Sequence, residues 1–238
     1  MTSRAYLVTG TDTGIGKTTV ACCLAAGLAA RGRRVGVMKP VETGCEPDAA
    51  GVLVPADATR LRFFSGCREP LERICPERFR APLAPSAAAR REGRRVDLRT
   101  LAATVREIAS AHDVSFIEGA GGLLVPVDGR TTFADLARDW QLPVLVVVGN
   151  RLGALNHAQL TVAHARAAGL HVAGYLLNTL APVMDVAMET NAALLEELIG
   201  PPLGTVPWLG PVECTAAERD RLARVAEDRI DVAALARG

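Results

Sequence analysis

Hydrophobic positions along the 238-residue chain gather into short apolar runs separated by longer stretches of mixed polarity. The runs at 5–9, 34–38, 114–117, 143–148, 172–177 and 203–206 are mostly apolar without alternation. That pattern predicts strands buried on both faces, as in a parallel sheet wrapped by helices. Between them, 17–30 is predicted as an amphipathic helix with Val20, Leu24 and Leu28 on one face, closing at Gly32. Further helices are predicted over 98–111 after Asp97 as N-cap, over 156–168 before Gly169, and over 186–199 before Gly200-Pro201-Pro202. The stretch 40–93 is rich in Pro, Gly and Arg and predicts loops and short helices beside the sheet. With no repeat and no linker, the expectation is one α/β domain over residues 1–238.

Composition narrows the function classes. A net charge of +1 offers no electrostatic footprint for nucleic acid, and the densest basic cluster, Arg90 to Arg95, reads as a solvated helix end or turn. The cysteines at 22, 23, 45, 67, 75 and 214 have neither Cys-x-x-Cys nor zinc-type spacing, and a disulfide framework is not expected. The strongest apolar run, 144–149, is too short to cross a bilayer, and a glycine-rich loop from residue 10 leaves no room for a signal peptide. The expected setting is therefore cytoplasmic, with no membrane and no nucleic-acid partner.

Nearly every predicted strand runs into polar or glycine-rich sequence at its C-terminal end, the edge where open parallel sheets bind ligands. The first such edge, Gly10-Thr11-Asp12-Thr13-Gly14-Ile15-Gly16-Lys17-Thr18, lies between a strand and a helix, the context of a P-loop. Backbone N–H groups there would cradle phosphates, Lys17 would reach the β- and γ-phosphates, and the Thr18 hydroxyl would meet Mg2+. Five residues instead of the usual four separate Gly10 from Gly16. The loop implies ATP and the P-loop NTPase fold, but it fits motors, switches, kinases and ligases alike.

Other residues select among these. Lys39, before Pro40, reads alone as a snorkelling surface lysine or as a second cation for an anionic ligand. The Thr43 hydroxyl could bond substrate or only local backbone. Glu118 emerges from an apolar strand where P-loop proteins hold a metal-linked carboxylate, and Gly119-Ala120-Gly121 would let backbone approach a ligand. Asp57 reads as a helix N-cap or as a second carboxylate near Mg2+, which takes one or two. Leu152 to Asn156 open a helix whose free donors could hold a carboxylate, or merely cap a turn.

Taken together, GTDTGIGKT, KPVETG, EGAGGLLVPV, LPVLVVVGNRLGALNHA, LLN and VPWL resemble the dethiobiotin synthetase family in order and spacing, over about residues 5 to 210. The resemblance implies an ATP- and Mg2+-dependent ligase that closes the ureido ring of dethiobiotin from 7,8-diaminopelargonate and CO2 (or bicarbonate). The route it implies runs through a carbamate and a carbamic–phosphoric anhydride. It makes Lys39, Lys17 and Thr13 catalytic, with Lys39 at the carbamate and Thr13 and Thr43 on the substrate. It gives Thr18, Asp57 and Glu118 to Mg2+, and Gly14, Ile15, Gly16, Lys17, Thr18 and Thr19 to the phosphates. Gly119, Ala120 and Gly121 also join the nucleotide site, while Asn178, Thr179, Pro207, Trp208 and Leu209 lie on its adenine side. It further implies a homodimer in which Gly153, Ala154, Leu155 and Asn156 of the partner chain hold the substrate carboxylate. The rivals are a P-loop switch ATPase of the partitioning or metal-maturation kind and a corrinoid amidase, whose extra glutaminase domain exceeds this length.

Overall fold

All six apolar runs form strands, and all six pair in parallel in one sheet, as the absence of polar alternation requires. The computed structural model describes residues 4–236. In chain order the elements are β1 (Arg4–Gly10), α1 (Lys17–Ala30), β2 (Val35–Met38), β3 (Val41–Thr43), β4 (Glu46–Pro47), β5 (Leu53–Val54), α2 (Ala56–Ser65), α3 (Leu71–Ile74), β6 (Glu77–Phe79) and α4 (Pro85–Arg91). They continue with α5 (Leu98–Ala111), β7 (Val114–Gly122), β8 (Pro126–Asp128), β9 (Thr131–Thr132), α6 (Phe133–Asp139), β10 (Val144–Asn150), α7 (Ala154–Ala167) and β11 (Val172–Thr179). The last are α8 (Val186–Ile199), β12 (Gly204–Val206), α9 (Ala216–Arg229) and α10 (Val232–Ala236). The sheet order is β12-β11-β10-β1-β7-β2, so the glycine-rich loop leaves a central strand.

Both faces of the sheet are covered. Tyr6, Val8, Leu145 and Val147 pack into one core with α1 and α2, whereas Leu7, Val144, Val146 and Val148 pack into a second with α5 and α6. Successive side chains thus enter opposite layers, and each must be apolar. Asp97 caps α5 as expected, accepting N–H bonds from Arg99 and Thr100. At the other end of α1, Gly32 takes a left-handed conformation and closes a Schellman turn, with Gly32 N–H bonded to Ala29 O and Arg33 N–H to Leu28 O.

The structure corrects several readings. The α1 helix is not amphipathic: every residue from Val20 to Leu28 is buried. It is flanked by α2 and α9 as well as by the sheet, so it has no solvent face. The α7 helix starts at Ala154 behind Gly153, two residues before the predicted 156, because Gly153 supplies the turn. The stretch 40–93 does hold loops and short helices, but β3 and β6 also form a small parallel pair within it. Periodicity could not find that pair, because three-residue strands give almost no pattern.

The α1 helix packs tightly on α9 at Gly27, where an added Cβ would lie 2.5 Å from the Ala226 methyl. Alanine is worth about 1 kcal/mol over glycine in a helix, while overpacking costs about 1–3 kcal/mol. Gly27→Ala is therefore expected to lower the melting temperature despite its better propensity, and adding Ala226→Gly should restore it. A stabilised Gly27→Ala protein would show that α9 yields freely.

Candidate functional site

Between β1 and α1 the chain wraps around a hollow bounded by backbone. Gly16 precedes the helix with φ 81, and no side chain caps that helix end. A Cβ on Gly16 would overlap the Asn178 amide, which donates to Ile15 O at 2.9 Å and braces the loop from β11. Glycine is thus demanded twice there, by conformation and by space. Lys17 folds back so that Nζ donates to Asp12 O at 2.9 Å. Burial, and then the neighbouring charge of Lys39, push its ammonium down to about 8. Asp12 accepts the Thr13 N–H and pairs with Arg151 at 2.5 Å, tying the loop to the turn that opens α7.

Sheet register brings the remaining charges together. Met38 on β2 pairs with Ile117 on β7, so the next residues, Lys39 and Glu118, emerge side by side. Lys39 Nζ donates to Glu118 Oε1 at 2.5 Å and to Asp57 Oδ2 at 3.0 Å, and the Thr18 hydroxyl donates to Glu118 Oε1 at 2.8 Å. Burial opposes the charge on Lys39, but Glu118 and Asp57 outweigh it and hold the ammonium well above its ordinary value. For Asp57 burial is likewise outweighed, by the charge and hydrogen bond of Lys39 and by Thr18, so its carboxyl lies below the usual range. The Glu118 side chain is fully buried, and its Oε2 has no hydrogen-bond partner.

These positions correct two simpler readings. Lys39 is no snorkelling surface group, since only 4% of it is exposed. Glu118 lies within its strand, since β7 continues through it to Gly122. Asp57 is not an N-cap either: Pro55 holds that place and Asp57 lies in the first turn of α2. The capping is done from another element. The buried Glu42 carboxylate accepts the Asp57 N–H at 2.9 Å and the Ala58 N–H at 3.0 Å, pinning the end of the helix that carries Asp57.

A cleft of about 350 Å³ opens over this cluster, lined by Thr13, Gly14, Gly16, Lys17, Thr18, Thr19, Lys39, Thr43, Asp57, Glu118, Ala120 and Gly121. Ile15 and Asn178 instead support the loop from behind, and Gly119 packs under Phe133. Gly153, Ala154, Leu155 and Asn156 at the start of α7, Thr179 ending β11, and Pro207, Trp208 and Leu209 after β12 do not line this cleft. Two lining residues, Glu42 and Arg60, escaped the sequence reading. Glu42 was visible inside KPVETG, but nothing near Arg60 marks it. A second trough continues from Thr13, Thr43 and Gly121 between Pro82, Leu83, Pro85 and Val125, with apolar walls.

Thr18, Asp57 and Glu118 present hard oxygen donors, and the unpartnered Glu118 oxygen is what a small divalent cation would satisfy. Among the described residues no group of three or more His, Cys, Asp or Glu forms a metal cage, and no helix is long and apolar enough to cross a membrane. Mg2+, which needs only one or two carboxylates, fits the donor set.

A family model described as an AAA domain matches residues 4–215. The chain is 48% identical to an ATP-dependent dethiobiotin synthetase BioD of Anaeromyxobacter dehalogenans (strain 2CP-C), over 86% of this chain and 90% of that protein. It is 41% identical to one of Aquifex aeolicus (strain VF5), over 91% and 94%. Among solved structures it is similar to the MinC:MinD cell division protein complex of Aquifex aeolicus, with a TM-score of 0.55 at 13% identity over 95% of this chain and 89% of that one. A ParA family ATPase of Chlorobium tepidum TLS gives 0.51 at 12% identity, over 95% and 92%. At such identities these two structures show the P-loop fold alone.

The Lys17 environment predicts how the cleft holds a polyanion. Below about pH 8 the ammonium is charged with or without ligand. Above it, the free protein has lost that proton and must regain it when an anion binds, so affinity falls with rising pH, approaching about tenfold per unit. Calorimetry with ADP from pH 7 to 9.5 should show this loss and the matching proton uptake. Lys17→Met should bind weakly with a flat profile; an unchanged slope in that variant would remove Lys17 as the titrating group.

Proposed function

We propose, for a chain that belongs to the ATP-dependent dethiobiotin synthetase family, that this cleft joins 7,8-diaminopelargonate, CO2 and ATP into dethiobiotin. The observation that carries this reading is a buried lysine fixed between two carboxylates and within the same cleft as the P-loop lysine. A pure switch ATPase has no need for a second anion beside the nucleotide, and the likeness to MinD and ParA does not extend beyond the fold.

The route starts with capture of CO2 by one substrate amine, which gives a carbamate and releases a proton. The carbamate oxygen then attacks the γ-phosphorus as ADP leaves, and the second amine attacks the activated carbon and expels phosphate. Two anions must meet, so fixed cations dominate the energetics. Lys39 is held charged by its carboxylates and acts as a permanent cation at the carbamate, not as a base. Lys17 swings from the Asp12 carbonyl to the phosphates, while the free N–H groups at the start of α1 hold their oxygens. Thr18, Asp57 and Glu118 would hold Mg2+, which supplies charge neutralisation at the phosphates. Thr13 and Thr43 stand where the cleft meets the apolar trough, suited to orient the two amines and lay the alkyl chain along Leu83 and Val125.

A second copy of the chain completes the proposed site. The α7 helix with the turn before it and the α8 helix with its approach expose Leu152, Leu160, Val183, Met184, Val186 and Leu198, with Leu152 83% exposed. So much apolar surface on one region favours a homodimer. Arg151, bonded to Asp12, links that surface to the P-loop of the same chain. The donors of Gly153 to Asn156 would then serve the substrate carboxylate in the partner's site.

Purified protein with ATP, Mg2+, bicarbonate and 7,8-diaminopelargonate is expected to form dethiobiotin, ADP and phosphate, read by mass spectrometry. Absence of ring closure would sink the assignment. Lys39→Met should make no product; because removing one member of a buried ion pair costs about 3–5 kcal/mol, its melting curve must be checked alongside. Mixing Lys17→Ala chains with Asn156→Ala chains tests the shared site separately. Each variant alone should be impaired and the mixture should regain activity, whereas no recovery from a verified heterodimer would count against sharing.

A further inference from the structure

At the opposite end of α2 from Asp57, a second cavity of about 420 Å³ lies among Arg33, Arg34, Ser65, Gly66, Cys67, Arg68 and His112. The His112 Nδ1 is 2.8 Å from Ile108 O, and a carbonyl only accepts, so Nδ1 carries the proton in the neutral ring. Nε2 is then the acceptor, and it faces Cys67 Sγ at 3.7 Å. The ring lies against β2 because residue 36 is glycine: a Cβ there would sit 2.9 Å from the imidazole and 2.5 Å from Ser115 Oγ.

We propose that Cys67 and His112 form a nucleophilic thiol–imidazole pair at a modification site for small anionic disulfides. Geometry separates this thiol from the others. Burial pushes Cys22 and Cys75 far up, Cys23 to about 12 and Cys45 to about 11. At Cys67 burial works the same way, but the His112 hydrogen bond and the Glu69 N–H outweigh it, and the thiol lies below its ordinary value. His112 is correspondingly raised by Cys67. The charged groups around the pair are Glu69 beside the ring, Arg33 and Arg34 before β2, with Arg34 bonded to Asp113 at 2.7 Å, and Arg68 on the next residue. Arginine outnumbers carboxylate there, which favours a reagent bearing negative charge.

In the reaction, the Cys67 proton passes to His112 Nε2 and the thiolate attacks one disulfide sulfur. The reagent's S–S bond breaks, a Cys67–S–S bond forms, and the leaving thiolate takes the proton back from His112. The protein sulfur is oxidised and the departing half of the reagent is reduced to a thiol.

The test uses Cys214→Ser, which removes the exposed thiol. The probe is 5,5′-dithiobis(2-nitrobenzoate), whose rings carry carboxylates. One thiol should react without denaturant, with the adduct on Cys67 by peptide mass spectrometry, and the rate should reach its half-maximum below the ordinary thiol value of about 8.5. His112→Gln should slow the reaction about tenfold near pH 7 and move the midpoint up. Arg68→Ala should slow this reagent but not uncharged 2,2′-dithiodipyridine. Reaction only after unfolding, a midpoint at the ordinary value, or an unchanged His112→Gln rate would overturn the pair. Equal loss with both reagents in Arg68→Ala would overturn the anionic preference. If His112→Gln does not fold, the pH profile of Cys214→Ser decides alone.

Discussion

Burying the Lys39 ammonium against Glu118, with Asp57 as a second partner, sets the constraint around which the rest of the site is arranged. A lone ammonium or carboxylate taken out of water costs several kcal/mol, so neither can occupy that position without the other. Each member comes from a different element: Lys39 follows β2, Glu118 lies in β7, and Asp57 lies in α2. Closing the cluster therefore requires the sheet pairing, the crossover and the α1–α2 contact to be correct together. Its consequence for chemistry is a cation that keeps its proton throughout the physiological range.

The supports of this cluster are as specific as its members. Glu42 uses both carboxylate oxygens on the N-terminal N–H groups of α2, which holds Asp57 towards Lys39. Asn178 reaches from β11 to brace Ile15, so the glycine-rich loop keeps its shape before any ligand arrives. Preorganisation of this kind reduces what must be reordered when charge develops. Lys17 donates to the Asp12 carbonyl, and because burial and Lys39 disfavour its charged form it gains most when an anion enters.

The same physics explains the contrast between the two ends of α2. At its start, carboxylates stabilise a protonated lysine. At its end, an imidazole with one nitrogen already committed to a carbonyl stabilises a thiolate. In both places burial opposes the charge, and a neighbouring side chain outweighs it.

By itself the sequence determined the six strands, because residues buried on both faces of a parallel sheet must be apolar at every position. It also determined α1, α5 and α8 to the residue, where glycine, Asp97 or a proline pair marks the ends, and it identified the P-loop with Lys17, Lys39, Asp57 and Glu118 of the cleft, but not Glu42 or Arg60. What only the tertiary structure decided was partnership. That Lys39 is buried depends on β2 lying beside β7, which sets it against Glu118, 79 residues further along the chain, a pairing that no local pattern encodes. The role of Asp57 changed from cap to ion-pair partner because Glu42, fifteen residues away, already satisfies the helix end. The solvent-free packing of α1 likewise follows from α9, a largely polar helix that contributes only Leu222 and Ala226 to the buried interior. Local periodicity reports which face a residue needs to hide, whereas long-range pairing selects what it is hidden against.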